Sequence, residues 1–214
     1  MRLDLHSHSK YSPDAFINPA KLDRILTRKG LDGIAVTDHD TIRGGMEAKR
    51  LMREKIAIPG VEYRTDMGDI IGLFIQEEIK SRQHEEVIDE LHDQGAIVVL
   101  PHPFDAFRKP AYKIADKVDV IETFNSRCAF KSLNEQAAQL AEKTGKPQTG
   151  GSDAHFSFEI GNGWTELVGD DIRREILKGK TKVGGRLTPP FVRPVSRVAK
   201  VLKKRGILKK HGSK

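Results

Sequence analysis

The 214-residue chain, 37% hydrophobic and 31% charged, is long enough for one domain with a full core. It has no run of about 18 apolar residues, which excludes a membrane-spanning helix. Its first residues lack an apolar signal-type core, and its single cysteine, Cys128, excludes an internal disulfide, so a cytoplasmic protein is expected. The net charge of +7 is uneven: residues 173–214 carry 15 of the 37 Lys and Arg and one acid, Glu175, leaving the preceding body mildly acidic.

In chain order, residues 1–8 read as a short alternating strand with Leu3 and Leu5 on one face, closing on His6 and His8. Residues i and i+2 of a strand point the same way, so both imidazoles can reach one ion. A polar loop with Pro13 follows. Asn18-Pro19 reads as N-cap and first helical residue, Leu22, Ile25 and Leu26 as a buried helical face, and Gly30 as the stop. The apolar run 33–38 predicts a buried strand ending at T-D-H-D (37–40), then a helix through Met46, Leu51 and Met52. Residues 56–62 and 69–75 predict the third and fourth strands, the third ending on Glu62. A helix starting at Ser81, with Val87, Ile88 and Leu91 on its apolar face, leads to a fifth strand, 96–100, and to Pro101-His102-Pro103. A sixth strand, 118–124, ends in E-T-F-N-S-R. A helix carrying Leu133, Ala137, Leu140 and Ala141 leads to a seventh strand, 146–151, and to S-D-A-H (152–155). Residues 164–168 fit a last short strand before a helix capped near Asp170.

Strand, polar cluster and helix thus repeat, which favours parallel strands with right-handed crossovers. In a barrel of this kind the strand C-termini share one rim, where chemistry collects. The strand ends here carry His6, His8, Asp14, His39, Glu62, Asp69, His102, Asp153 and His155. Mixed imidazole and carboxylate donors suit manganese, iron or zinc. Nine donors exceed the need of one ion, so two or three divalent ions are expected to share the cleft. Ions so paired make a water nucleophilic and stabilise charge on attacking and leaving oxygens, as phosphate ester hydrolysis requires.

H-S-H at 6–8, T-D-H-D at 37–40, G-V-E at 60–62, P-H-P at 101–103 and G-S-D-A-H at 151–155 together resemble the polymerase and histidinol phosphatase (PHP) domain family. The resemblance spans residues 1–187. It implies an α/β fold, a distorted seven-stranded (β/α)7 barrel of TIM-like type, and a metal-dependent phosphoesterase. By the same resemblance His6, His8, Glu62 and Asp153 would hold one ion. Glu62 would bridge to a second ion on His102, and Asp14, His39 and His155 would hold a third. Many relatives have a histidine where this chain has Asp69, a carboxylate that favours harder ions. Asp153 and His155 belong to the expected catalytic set, with Arg127 as a phosphate clamp because guanidinium matches phosphate geometry. Asp40 and Ser152 are expected to orient ligands. The expected substrate is a nucleotide, an oligonucleotide end or a small phosphorylated metabolite. A non-catalytic metal-binding interaction module is the alternative, and an amidohydrolase, which also opens on H-x-H, is a third reading.

His84, His92 and His211 are expected to be solvated, and buried Cys128 to be inert. Gly44-Gly45 lacks the spacing and lysine of a phosphate-binding loop. Residues 1–188 are expected to form the catalytic domain and 189–214 a basic tail. After Pro189, Pro190 and Pro194, Val195, Val198 and Leu202 recur at helical spacing among Arg197, Lys200, Lys203, Lys204, Arg205, Lys209 and Lys210. Such a segment either docks its apolar face on the barrel with the basic face solvated, or attracts nucleic acid as an arm.

Overall fold

The computed structural model describes residues 1–105 and 108–205. In chain order it contains β1 (Arg2–Asp4), α1 (Leu22–Lys29), β2 (Gly33–His39), α2 (Arg43–Leu51), β3 (Ile56–Thr65), β4 (Gly68–Leu73), α3 (His84–Asp93), β5 (Ile97–Leu100), β6 (Val120–Asn125), α4 (Lys131–Thr144), β7 (Gln148–Gly151), β8 (Gly163–Leu167), α5 (Ile172–Leu177), β9 (Thr181–Gly185) and α6 (Val192–Lys204). The local signals explain several boundaries. The Asn18 side chain accepts the Ala20 N–H before α1, and Gly30 and Gly145 close α1 and α4 in the left-handed conformation. No described helix is long and apolar enough to cross a membrane.

The strands form one sheet in the order β7-β6-β5-β4-β3-β2-β1-β8-β9. It curls until its ends nearly meet. Thr165 Oγ1 on β8 accepts from Gly150 N and donates to Gly150 O of β7 at 2.8 and 2.9 Å, and Thr181 Oγ1 on β9 donates to Gln148 O at 2.7 Å. This is the expected distorted α/β barrel, with nine strands in place of seven among the described residues. Of the two strands beyond seven, β8 is the short strand expected at 164–168, whereas β9, the short Gly-rich T-K-V-G-G segment, was not expected.

Strand direction also departs from strict alternation. β1–β2, β2–β3, β5–β6 and β6–β7 are parallel, whereas β3–β4, β4–β5, β1–β8 and β8–β9 are antiparallel. Because β4 runs backwards, its first residues lie at the rim where the parallel strands end. Arg64 faces Asp69 and Glu62 faces Ile71 across the β3–β4 pair. Asp69 therefore shares the face of Glu62.

Inner-face residues such as Leu3, Leu5, Ala35, Ile58, Ile71, Val99 and Val120 fill the barrel. The opposite parity packs under the helices in two further clusters, one around Val61, Tyr63, Leu91 and Val98, the other around Leu26, Ile34 and Val36. Burial on both faces explains why these strands read as continuous apolar runs.

The last helix docks in an unexpected sense. Its buried positions are Val192, Ser196, Ala199 and Lys203, while Val195, Val198 and Val201 are 52%, 59% and 48% exposed. Beyond Val192, the polar and small side chains thus face the rim while Val195, Val198 and Val201 face solvent, the reverse of the apolar docking expected from spacing. The rim supplies the reason. Lys203 Nζ donates to the carbonyls of Ser12 and Ala15 and lies over the Phe16 ring, and Ser196 accepts from Arg127. Lys209, Lys210 and His211 lie outside the described residues.

Candidate metal centre

Apart from Asp14, the donors come from the last residues of a strand or the loop just after it, except Asp69, which opens the reversed strand β4. β1 ends at Asp4, before the two histidines, because the chain breaks register there: Ser7 bridges to Ala154 beside β7 and its carbonyl accepts the Thr37 N–H. The break lets Leu3 and Leu5 face the core while His6 and His8, of opposite parity, still reach the rim. His102 and Asp153 both hold positive φ, 30° and 52°. Such conformations cost roughly 1–3 kcal/mol each for non-glycine residues and persist where surrounding structure imposes them.

His6, His8, His39, Glu62, His102, Asp153 and His155 are buried and converge, with Asp14 and Asp69 at the margin. His8 Nε2 lies 3.3 Å from His6 Nε2, 3.2 Å from Asp153 Oδ1 and 3.4 Å from Glu62 Oε2. His6 Nε2 is 3.8 Å from both Glu62 Oε1 and Asp153 Oδ1. His102 Nε2 is 3.0 Å from Glu62 Oε1, and His39 Nδ1 is 2.8 Å from Glu62 Oε2. Asp14 Oδ1 faces His39 Nε2 at 3.8 Å and His155 Nε2 at 3.6 Å. Four sets have donor atoms close enough for one ion: His8-His39-His155, His6-His102-Asp153, His6-His8-Glu62 and Glu62-Asp69-His102.

These atoms fit metal ions better than each other. Asp14 Oδ1, both ring nitrogens of His39, Glu62 Oε2 and Asp153 Oδ1 are buried with no hydrogen-bond partner. His39 Nδ1 and Glu62 Oε2, though close, are not aligned for a hydrogen bond. With metal–nitrogen distances of about 2.0–2.1 Å, two ligands of one tetrahedral ion lie about 3.4 Å apart, within the 3.2–3.8 Å range of separations among His6, His8, Glu62 and Asp153. So many unpaired buried polar atoms would cost several kcal/mol unless an ion satisfied them.

The electrostatics suit the same purpose. Burial tends to raise Glu62 and Asp153, but His39 and Arg108 beside the first, and His6 and His8 beside the second, hold both well below the usual carboxylate range. Asp14 is likewise held low, against its burial, by His155, His39, His8 and Lys200. Burial, with like charge nearby, pushes His8 and His155 down, which favours the neutral form that can ligate an ion. His6 goes the other way: Glu122 and Asp153 overcome its burial and raise it well above the ordinary value.

A supporting layer fixes the rings. Glu122 Oε1 accepts from His6 Nδ1 at 3.0 Å, and its Oε2 accepts the His102 N–H at 2.9 Å and Asn125 Nδ2 at 3.0 Å. Asp38 takes Ser9 N, Ser9 Oγ and Ser12 Oγ at 2.6–2.7 Å, and Ser12 Oγ faces His8 Nδ1 at 3.2 Å. Asp4 accepts from Ser152 N at 2.8 Å and from its Oγ at 2.5 Å, which ties Ser152 into the same layer. Each bond on Nδ1 leaves Nε2 free to ligate. A Cβ on Gly44 would lie 1.9 Å from Asp38 Oδ2, so Gly44 serves this layer.

Other expectations land elsewhere. Asp40 turns away to Arg82, 3.2 Å off, and Asp38 does the orienting instead. Arg127 lines the cleft, but its Nε and Nη2 donate to Glu159 at 2.8 and 3.3 Å, and Glu159 also accepts the N–H groups of His155 and Phe156. His84 and His92, expected to be solvated, pair with Asp66 and Asp119 at 3.1 and 3.2 Å; His92 is exposed, His84 only partly so, and neither lines the cleft. Burial pushes the Cys128 thiol well up, which leaves it inert. Glu122, Asp38 and Arg108 were not singled out from sequence. Glu122 carried the same signal as Glu62, a carboxylate at a strand end, whereas Arg108 carried none.

Of the donors, Asp14, Asp69, Asp153 and His155 line a cleft of about 470 Å³, together with Arg64, Arg108, Lys109, Arg193, Arg197 and Lys200. The last three come from α6.

Comparison with known proteins agrees with this fold. Residues 131–181 match the PHP-associated family model. The chain is 35% identical over 177 residues to the uncharacterized protein MJ0417 of Methanocaldococcus jannaschii, covering 78% of this chain and 70% of that one. It is 37% identical over 145 residues to MJ1587 of the same organism, covering 59% and 82%. Among solved structures, it resembles a two-domain Bacteroides vulgatus protein containing a predicted PHP-like metal-dependent phosphoesterase, with a TM-score of 0.72 and 19% identity. That match covers 87% of this chain and 65% of the longer one. An amidohydrolase from Chromobacterium violaceum shares the fold at a TM-score of 0.60 and 15% identity, covering 91% and 96%. With these relatives, the five motifs at the strand ends and the barrel that gathers them, the chain belongs to the PHP domain family.

Proposed function

We propose that the chain is a metal-dependent phosphoesterase that hydrolyses a phosphate ester with two or three divalent ions, manganese, iron or zinc. The observation that carries this reading is the set of buried, unpartnered imidazole and carboxylate atoms, of which those of Asp14 and Asp153 belong to residues lining a cleft rich in arginine and lysine. His6, His8, Glu62 and Asp153 would hold one ion, Glu62, His102 and Asp69 a second, and Asp14, His39 and His155 a third. Bound ions would supply a nucleophilic water near neutral pH and Lewis-acid stabilisation of phosphoryl oxygens. The chain's own residues do the rest. Glu122 and Ser12 orient His6 and His8, and Arg127 with Glu159 fixes the loop that carries His155. Burial of the donors excludes bulk water, and the basic wall draws in an anion.

A basic cleft favours an anionic ester over a neutral amide, which sets the amidohydrolase reading second. The basic C-terminal region supports a nucleotide or oligonucleotide end as substrate. The test is a panel comprising a nucleotide, a short oligonucleotide, a small phosphomonoester and an amide, assayed with manganese and with chelator. Phosphate release that requires the ion is expected. Turnover of the amide alone would replace this reading with the other.

A further inference from the structure

Two cations of the cleft lie against carboxylates that the proposed function assigns to ions. Arg108 Nη1 is 2.5 Å from Asp69 Oδ2, and Lys200 Nζ on α6 is 3.5 Å from Asp14 Oδ2. Neither is a core residue: their side chains are 25% and 39% exposed, on the walls of the same cleft. A carboxylate whose charge is shared with a guanidinium or ammonium binds a metal ion less tightly, even where, as at Asp14, the cation sits on Oδ2 and the oxygen facing the histidines is Oδ1. The converse also holds: an ion on Asp69 or Asp14 neutralises the carboxylate's charge and loosens the cation beside it. That cation then faces the cleft next to the ions, where the nearest new anion is a bound phosphate. Guanidinium pairs with phosphate oxygens through two parallel bonds, and ammonium as a point charge.

We propose that Arg108 and Lys200 are phosphate-binding residues held on Asp69 and Asp14 until ions displace them, so that metal loading itself turns the cleft into an anion site. The inference rests on the phosphoesterase reading and goes beyond it by assigning the phosphate contacts and linking them to ion uptake. Two effects of opposite sign follow. Each cation competes with the ion for its carboxylate, so removing the cation tightens metal binding. Each also binds phosphate afterwards, so removing it weakens anion binding to the loaded protein. A residue that only supported the fold would weaken both.

The test is calorimetric and needs no turnover. Wild type, Arg108→Gln and Lys200→Gln are titrated with manganese, and the manganese-loaded proteins with inorganic phosphate, after thermal melts have established that each variant is folded. Arg64→Gln serves as the field control, because Arg64 lines the same cleft and lies opposite Asp69 in the β3–β4 register but makes an ion pair with neither carboxylate. Charge pairs at such distances are strong enough to expect manganese affinity about tenfold tighter in each variant, and phosphate affinity about tenfold weaker, with Arg64→Gln moving manganese affinity much less. Unchanged or weaker manganese binding in the variants, with normal wild-type binding, overturns the proposal alone. An equal shift in Arg64→Gln reduces it to a general field effect and overturns it too, as does unchanged phosphate affinity. A wild-type protein that takes up no manganese overturns the metal reading and this inference together.

Discussion

Glu122 is the sharpest place to perturb the centre without touching a ligand. Its two oxygens are fully used: Oε1 by His6 Nδ1, Oε2 by the His102 N–H and by Asn125 Nδ2. Glu122→Gln preserves shape but supplies one acceptor oxygen. If that oxygen keeps the two donors on the Oε2 side, the new amide N–H groups face His6 Nδ1. That nitrogen must then accept, the ring proton moves to Nε2, and Nε2 loses the lone pair that an ion needs. Losing such an outer partner typically costs about 10–100-fold in metal affinity, or about 1.4–2.8 kcal/mol at about 1.4 kcal/mol per decade. One effect opposes it. Glu122 also holds the His6 proton, so the variant has less proton competition as pH falls. Titration at pH 8 to 9 weakens that competition. Manganese affinity measured there by calorimetry, with the His6 tautomer read by nitrogen NMR on metal-free protein, is expected to fall by one to two decades with the proton on Nε2. Unchanged affinity would refute the claim that Glu122 prepares His6 for a metal.

Asp69 is expected to ligate, so Asp69→Ala lowers metal content and turnover together, while Asp69→His restores content and shifts preference from manganese towards zinc; metal analysis after mixed-ion loading reads both. Burial pushes Asp4 up to about 6, against hydrogen bonds from Ser152, Gly161 and His6. The folded state therefore binds the Asp4 proton more tightly than the unfolded one, and this residue's contribution to stability is lost as pH rises from about 4 to 6. In Asp4→Asn the corresponding fall in melting temperature disappears, although the variant is less stable throughout; an unaltered slope would assign the fall to another group. Deleting residues 206–214 is expected to weaken oligonucleotide binding at low salt, through lost counterion release, and to leave hydrolysis of a small phosphomonoester unchanged. Equal loss on both substrates would tie this segment to the fold.

Much of the barrel was legible because strands buried on both faces are short apolar runs, and each ended on a residue type that a core does not tolerate. His39 after I-A-V-T-D and Glu62 after I-P-G-V stand out for that reason. What was missed depended on direction and partner, which periodicity does not encode. Nothing in G-D-I-I-G-L states that β4 runs antiparallel, yet that reversal brings Asp69 to the rim beside Glu62. The valines of α6 promised an apolar docking face. The rim instead offers Glu159-bound Arg127, Asp105 and the carbonyls of Ser12 and Ala15, which polar side chains satisfy and valines do not. Within T-D-H-D, Asp40 is the residue expected to orient ligands, and the bonds from Ser9 and Ser12 give the orienting role to Asp38 instead.

The central claim is that the donors at this rim exist to hold ions that hydrolyse phosphate esters. The measurement that bears on it most directly is divalent ion content per chain of the purified protein, taken alongside phosphate release before and after chelation, for wild type and His8→Ala. The account predicts at least two ions per chain, loss of phosphate release on chelation with recovery on adding manganese, and reduced content with abolished release in folded His8→Ala. Full phosphate release from metal-free protein, or wild-type protein that binds no divalent ion, would contradict it.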